Sequence, residues 1–162
     1  MNDDGARIRR IPDKVPSLTI VSFTDTSASL AWTDLTGAQT GNSDLISYQL
    51  FYDDATGQID QLLLESLATE YEVLALSGGE AYQFQVRAVN IYGPGTLSDP
   101  VSQTVSNVPG KPAMVSVTLS DTNVLFAWAK PDENFSSITA YNLELRKHDG
   151  SWVTDSVNCD AS

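Results

Sequence analysis

Leu76-Ser77-Gly78-Gly79-Glu80-Ala81-Tyr82-Gln83-Phe84-Gln85-Val86-Arg87-Ala88-Val89-Asn90 decides how the rest of this sequence is read. From Tyr82 onward the side chains alternate. Tyr82, Phe84, Val86 and Ala88 fall on one side, and Gln83, Gln85, Arg87 and Val89 on the other. A period of two belongs to a strand with one face in a core and the other toward water. Gly78-Gly79 ahead of it marks a turn, and Asn90-Ile91-Tyr92-Gly93-Pro94-Gly95 behind it marks another. Gly93 and Gly95 there would permit a positive φ in a tight turn.

Working outward, the same period recurs. Leu30 and Trp32 alternate with Ser29, Ala31 and Thr33, while Tyr48, Leu50 and Tyr52 alternate with Gln49, Phe51 and Asp53. The expected strands are 17–23, 27–33, 45–53, 58–65, 69–74, 80–90 and 97–106. No long stretch has a helical period, and Leu62–Leu67 is the one ambiguous patch. Short strands separated by Gly, Pro, Asn and Asp indicate an all-β antiparallel sandwich.

The pattern then repeats. Pro16 and Trp32 are matched by Pro112 and Trp128 at an offset of 96 residues, as are Asp25-Thr26 by Asp121-Thr122 and Val21 by Val117. Tyr48 is matched by Tyr141 at an offset of 93, so the second copy has a loop three residues shorter. Val124, Phe126 and Trp128 alternate in it, as do Tyr141, Leu143 and Leu145. Its expected strands are 113–119, 123–130, 138–147 and 151–157. By the length of the first copy, the second stops about 40 residues short and lacks its last three strands. The expected organisation is a flexible segment 1–14, a complete domain 15–107, a short linker 108–112 and a partial second domain 113–162. Four strands alone leave open edges and a bare apolar face. The chain is therefore expected to be a piece of a longer polypeptide, or to receive strands from a strand-complementing partner. Two prolines in the linker should limit bending and space the modules in an extended rod.

The first copy resembles an immunoglobulin-like fibronectin type III domain throughout. Trp32 stands where that family keeps a core Trp, and Tyr48-Gln49-Leu50-Phe51-Tyr52 is similar to its third strand. Leu76 to Tyr82 resembles its tyrosine corner, with Gly78 in place of the usual Pro. The resemblance implies that Trp32, Tyr48, Tyr52, Leu76 and Tyr82 are core landmarks, with Trp128 and Tyr141 as their counterparts in a tandem second module. It also implies that the Tyr82 hydroxyl bonds backbone near the corner.

Composition narrows function. The net charge is −12, and residues 15–110 carry eleven Asp and Glu against Arg87 alone. Such a surface repels phosphate backbones and anionic headgroups, so nucleic acid and direct membrane insertion are not expected. It suits solubility, or weak Ca²⁺ capture, although no spaced Asp-x-Asp-x-Asp-Gly loop is present. No apolar run has the length of a membrane-spanning helix, and the N-terminus does not read as a secretory signal.

His148 is the only histidine and sits at a hairpin tip, so neither a metal cluster nor a triad is expected. No catalytic residue, cofactor or metal is assigned. Loop 34–44 is long and polar, and Phe51 and Tyr92 are candidate exposed aromatics. Asn134-Phe135-Ser136 is an N-glycosylation sequon in an expected loop. Cys159 is the single cysteine and has no internal partner. The tail Asn158-Cys159-Asp160-Ala161-Ser162 resembles a segment of repeat-rich surface proteins of single-celled eukaryotes, in which a second Cys follows and closes a disulfide. That resemblance implies an extracellular setting, with an unpaired thiol as the open alternative.

The expected function is a non-enzymatic structural or adhesive array, extracellular or at the cell surface, whose partners are other protein chains or neighbouring repeats. An accessory module of a larger enzyme, binding glycan or substrate, stands as the alternative. An intracellular ciliary or cytoskeletal scaffold is a further one.

Overall fold

The computed structural model describes residues 8–155. Contacts divide the chain into two units, Met1–Asn107 and Val108–Ser162.

In the first unit β1 is Leu18–Phe23, β2 Ala28–Trp32, β3 Leu45–Tyr52, β4 Gln61–Ser66, β5 Glu70–Val73, β6 Ala81–Asn90, β7 Gly93–Pro94 and β8 Val101–Thr104. One sheet has the order β1-β2-β5. The other runs β4-β3-β6, with β7 and β8 both paired to β6. All pairings are antiparallel. The alternation of β6 is obeyed residue by residue: Tyr82, Phe84, Val86, Ala88 and Asn90 are buried, and Gln83, Gln85, Arg87 and Val89 only partly. Leu30, Trp32 and Val73 from the first sheet meet Tyr48, Leu50, Phe84 and Val86 from the second in one core. Each fully buried side chain of this size contributes roughly 1.5–3 kcal/mol of transfer free energy.

Two groups of rings organise the core. Trp32 packs edge-on to Tyr48 with centroids 6.0 Å apart, and Tyr52 stacks against Tyr82 and Phe84 at 6.3 Å each. At the corner the Tyr82 hydroxyl accepts the Ser77 amide at 2.9 Å. Glu80 N closes the turn on Ser77 O at 3.3 Å, and Gly79, at φ 87°, donates its amide to Val105 O and so ties the corner to the stretch after β8.

Three features differ from the sequence reading. The expected strand 97–106 shrinks to β8, while the short β7 forms earlier, in the expected turn, with an irregular stretch between the two. Pro100 has no N–H for the ladder. At Ser98 the pairing passes partly to a side chain: Val86 N donates to Ser98 Oγ at 3.1 Å, while Ser98 N donates to Val86 O at 2.8 Å. Secondly, Gly93 has φ 124°, as a turn requires, but Gly95 is needed for space. A Cβ on Gly95 would lie 2.6 Å from Pro12 O. Thirdly, the stretch Ile8–Lys14, placed by sequence outside the module, is bonded to it. Arg10 N donates to Gly41 O at 3.0 Å and Asp13 N to Gln39 O at 2.8 Å. Pro12 and Val15 are buried.

The second unit consists of two hairpins. Strand β9, Ser116–Ser120, pairs with β10, Asn123–Ala127, and β11, Leu143–Arg146, pairs with β12, Trp152–Asp155. The expected strand 138–147 shrinks to β11, which among the described residues pairs only with β12, whereas its counterpart β3 is held on both sides by β4 and β6. Ile138 N is instead engaged by Glu133 Oε1 at 3.0 Å within a loop.

Candidate functional site

Polar side chains of the first unit fall into two sets. One set is buried and bonds to backbone. Asp53 is 1% exposed, and its carboxylate accepts from Gln83 N at 2.9 Å and from Ala55 N and Gly57 N at 3.2 Å each. It thereby pins the turn between β3 and β4, where Asp54 and Ala55 take positive φ, to β6. Sequence reading placed Asp53 on the solvent side. The clue it left was the cluster Asp53-Asp54-Ala55-Thr56-Gly57, the composition of a turn whose first carboxylate caps its own amides.

Asn90 is the second anchor. Its Nδ2 donates to Arg10 O at 2.7 Å and to Thr40 O at 2.9 Å, and its Oδ1 accepts Tyr92 N at 2.8 Å. One side chain therefore ties together the N-terminal stretch, loop 34–44 and the β6–β7 turn. That loop is ordered. Gly37–Thr40 forms a 3₁₀ turn with Thr36 N donating to Gln39 Oε1 at 3.3 Å, and Leu35 is buried. Lys14 Nζ pairs with Asp99 at 2.6 Å, and Arg10 pairs with Asp13, holding that exposed carboxyl below its usual range by a side-chain hydrogen bond.

The other set faces outward as a row across three strands. Glu65 Oε1 accepts Gln49 Nε2 at 3.1 Å and also the hydroxyl of Ser47, itself buried, at 3.3 Å. Gln49 Oε1 accepts Arg87 Nε at 2.8 Å. The Arg87 guanidinium lies over the Phe51 ring, 5.0 Å from its centroid. Phe51 is thus capped by a cation, and Tyr92 sits on the β6–β7 turn, 45% exposed. Phe51 pairs in register with Gln85 and Tyr92 follows Asn90, so the two rings do not form a common platform. A polar row with one cation and one covered ring suits a protein surface better than the ring face of a sugar.

Tyr48 links core and loop. Its hydroxyl accepts Leu35 N at 2.7 Å and donates to Asp34 Oδ1 at 2.8 Å. Burial, then the Asp34 carboxylate, push the phenol up to about 12. Tyr52 is raised too, by burial first and then by Asp54. In the second unit Trp128 and Tyr141 meet edge-on at 5.4 Å, but the buried Tyr141 hydroxyl has no hydrogen-bond partner among the described residues. Asn134 is half-buried, and its Nδ2, the atom a glycan would occupy, donates to Val108 O at 2.7 Å. His148 is exposed in the turn closed by Gly150 N on Lys147 O. Cys159 and the tail around it lie outside the described residues. Among the described residues no three His, Cys, Asp or Glu groups come together as a metal site, and no helix is long and apolar enough to cross a membrane.

The two sheets, the Tyr82 corner and the Asn90 anchor are matched by a family profile described as Fibronectin type III domain, over residues 13–104. The chain belongs to the fibronectin type III family. Domains of this family are in general non-catalytic. Receptor-type tyrosine-protein phosphatase F of Danio rerio is 30% identical over 141 residues, which are 84% of this chain and 7% of that protein. Cell adhesion molecule Dscam2 of Drosophila melanogaster is 28% identical over 152 residues, 90% of this chain and 7% of that protein. Netrin receptor DCC of Homo sapiens is 28% identical over 145 residues, 85% of this chain and 10% of that protein. The chain thus spans a tenth or less of these relatives. The sixth fibronectin type III domain of human fibronectin type III domain containing protein 3 superposes with a TM-score of 0.53 at 22% identity, covering 64% of this chain and 93% of that domain, a likeness of fold.

Proposed function

We propose that this fibronectin type III chain is a non-catalytic structural and adhesive segment of a larger protein, working as spacer and as protein-binding surface. One observation carries the reading. The buried polar groups Asp53, Asn90, Ser98 and Tyr48 are bonded within the scaffold, which leaves the row Glu65–Gln49–Arg87 across β4, β3 and β6 as the organised polar surface. Relatives named as a cell adhesion molecule and a netrin receptor support the adhesive role and a place at the cell surface. Partners would be other protein chains or neighbouring repeats, met through polar, salt-sensitive contacts.

The test replaces residues 15–107 in the parent protein by an unrelated sandwich of the same length and measures cell attachment. Loss of attachment, with surface biotinylation unchanged, supports the binding role. Retained attachment reduces the module to a spacer. Failure of surface biotinylation in the unaltered protein removes the extracellular placement.

A second reading, an accessory module of a larger enzyme, draws on the relative named as a receptor-type phosphatase. Its glycan-binding form gains nothing from Phe51, which lies beneath Arg87.

A further inference from the structure

Glu65, Gln49 and Arg87 stand side by side on β4, β3 and β6. Gln49 pairs in register with Glu65 on one flank and with Arg87 on the other. Neighbouring strands lie about 4.8 Å apart, so the acid and the base sit at similar distances either side of β3. Gln49 keeps them apart: its Nε2 donates to Glu65 at 3.1 Å, and its Oε1 accepts Arg87 Nε at 2.8 Å. Among the described residues neither Glu65 nor Arg87 forms an ion pair. Arg87 is the only Lys or Arg in residues 15–110, yet none of the eleven acids there engages it. Gln49 and the Phe51 ring beneath hold its guanidinium in place, and Nη1 and Nη2 have no acceptor among the described residues. A guanidinium ordered in this way is prepared for a carboxylate, which it takes through two parallel hydrogen bonds.

We propose that this outer face of β4, β3 and β6 pairs with the same face of a second copy of the chain, about a two-fold axis running along β3. Turning the row over about that axis exchanges its flanks. Glu65 of each copy then meets Arg87 of the other, while Gln49 and Phe51, on the axis, meet their own counterparts. Charge complementarity chooses this occupant. A row in the order acid, amide, base is complementary to itself when reversed, and the isologous contact of a two-fold dimer reverses it. The adjoining row of Leu62, Phe51 and Gln85 carries no charge, so nothing in it opposes the contact. The other sheet offers no such match, because β1, β2 and β5 carry Glu70 and Glu72 and no Lys or Arg. A face three strands wide gives a small contact of the weak, transient class. The inference rests on the reading of this row as a protein-binding surface and names the partner.

The experiment is sedimentation equilibrium of the 162-residue chain. It is run up to about 1 mM protein in about 0.15 M salt, which screens the repulsion between two acidic chains. The expected mass rises with concentration from monomer toward dimer. Glu65→Arg and Arg87→Glu should each lower the association constant at least about tenfold, because each sets like charges against one another. An equimolar mixture of these two variants should associate again, since every contact between them joins opposite charges. Glu72→Arg makes the same change of charge on the other sheet and should leave association as it was. Hydrogen exchange in β6 records folding of each variant. Amide shifts of the unaltered chain on dilution should centre on Gln49, Glu65 and Arg87, a readout that needs no variant to fold. The proposal is overturned by a chain that stays monomeric, by dilution shifts centred elsewhere, by folded single variants that associate like the unaltered chain, or by folded variants whose mixture does not associate. If the chain stays monomeric while replacing residues 15–107 in the parent protein abolishes cell attachment, the second copy is removed as partner and the adhesive reading stands.

Discussion

The hydroxyl of Tyr48 accepts the amide of Leu35 at 2.7 Å and donates a hydrogen bond to Asp34 Oδ1 at 2.8 Å. The second unit keeps the ring but not this bond. At the offset of 96 residues Leu35 is matched by Pro131, which has no N–H, and Asp34 by Lys130, which pairs with Glu133 at 3.0 Å. The edge-on Trp–Tyr pair survives in both units, while the Tyr141 hydroxyl is buried without a partner among the described residues. Packing has been kept by the repeat and the polar lock discarded.

This asymmetry predicts opposite responses to one chemical change. Tyr48→Phe leaves the Leu35 amide and the Asp34 carboxylate without their partner, and should cost about 1–3 kcal/mol in urea unfolding of the first unit. Tyr141→Phe removes an unsatisfied buried hydroxyl and should leave exchange at β10 and β11 unchanged or slower. Equal losses from the two substitutions would show that ring packing alone matters.

The Tyr48 phenol also sets an alkaline limit. Its folded value is raised to about 12 from an unfolded value near 10. The folded state therefore holds its proton more tightly than the unfolded state. The stability this gives is complete below pH 10 and is lost as pH rises from 10 through 12. Tyr52, raised in the same direction, adds to the loss. Unfolding midpoints measured from pH 9 to 12 should fall across that window, and Tyr48→Phe should flatten the fall but not abolish it.

Asp53 is expected to behave as a scaffold group. Its carboxylate collects three backbone amides from two segments. Asp53→Ala removes the acceptor of three part-buried N–H groups and should cost about 1–3 kcal/mol, with faster exchange at Ala55, Gly57 and Gln83. Asp53→Asn keeps one acceptor oxygen and should cost less. No change on Asp53→Ala would mean that solvent replaces the carboxylate without loss.

What sequence could and could not tell follows the range of the forces involved. The burial of Tyr82, Phe84, Val86 and Ala88 was legible because alternation is a local consequence of the pleat. Trp32 and the 96-residue repeat were legible because bulky core residues recur at fixed spacing. The burial of Asp53 was not, since a carboxylate beside Asp54 in a turn reads as solvated until the amides of β6 arrive from 30 residues away. The shortening of the expected strand 138–147 to β11 was hidden for the same reason: how far a strand extends depends on neighbours distant in sequence. The outward row Glu65–Gln49–Arg87 was equally invisible, because it exists only through the register of β4, β3 and β6.

The docking of Ile8–Lys14 gives the last test, and it turns on glycines that lack a Cβ for two different reasons. Gly41 has φ 74°, and a Cβ there would also overlap the Arg10 carbonyl. Gly95 has no positive φ, so only the approach of Pro12 O, 2.6 Å from its would-be Cβ, forbids a side chain. Gly95→Ala should therefore displace the N-terminal stretch without straining the β6–β7 turn. Exchange should quicken at Arg10 and Asp13, and the Asn90 side chain should lose Arg10 O while keeping Thr40 O and Tyr92 N. Gly41→Ala adds backbone strain and should destabilise the unit more, by about 1–3 kcal/mol beyond the Gly95 change. If Gly95→Ala leaves the exchange of Arg10 and Asp13 as it was, the close approach does not hold this stretch in place, and Asn90 alone would have to account for its order.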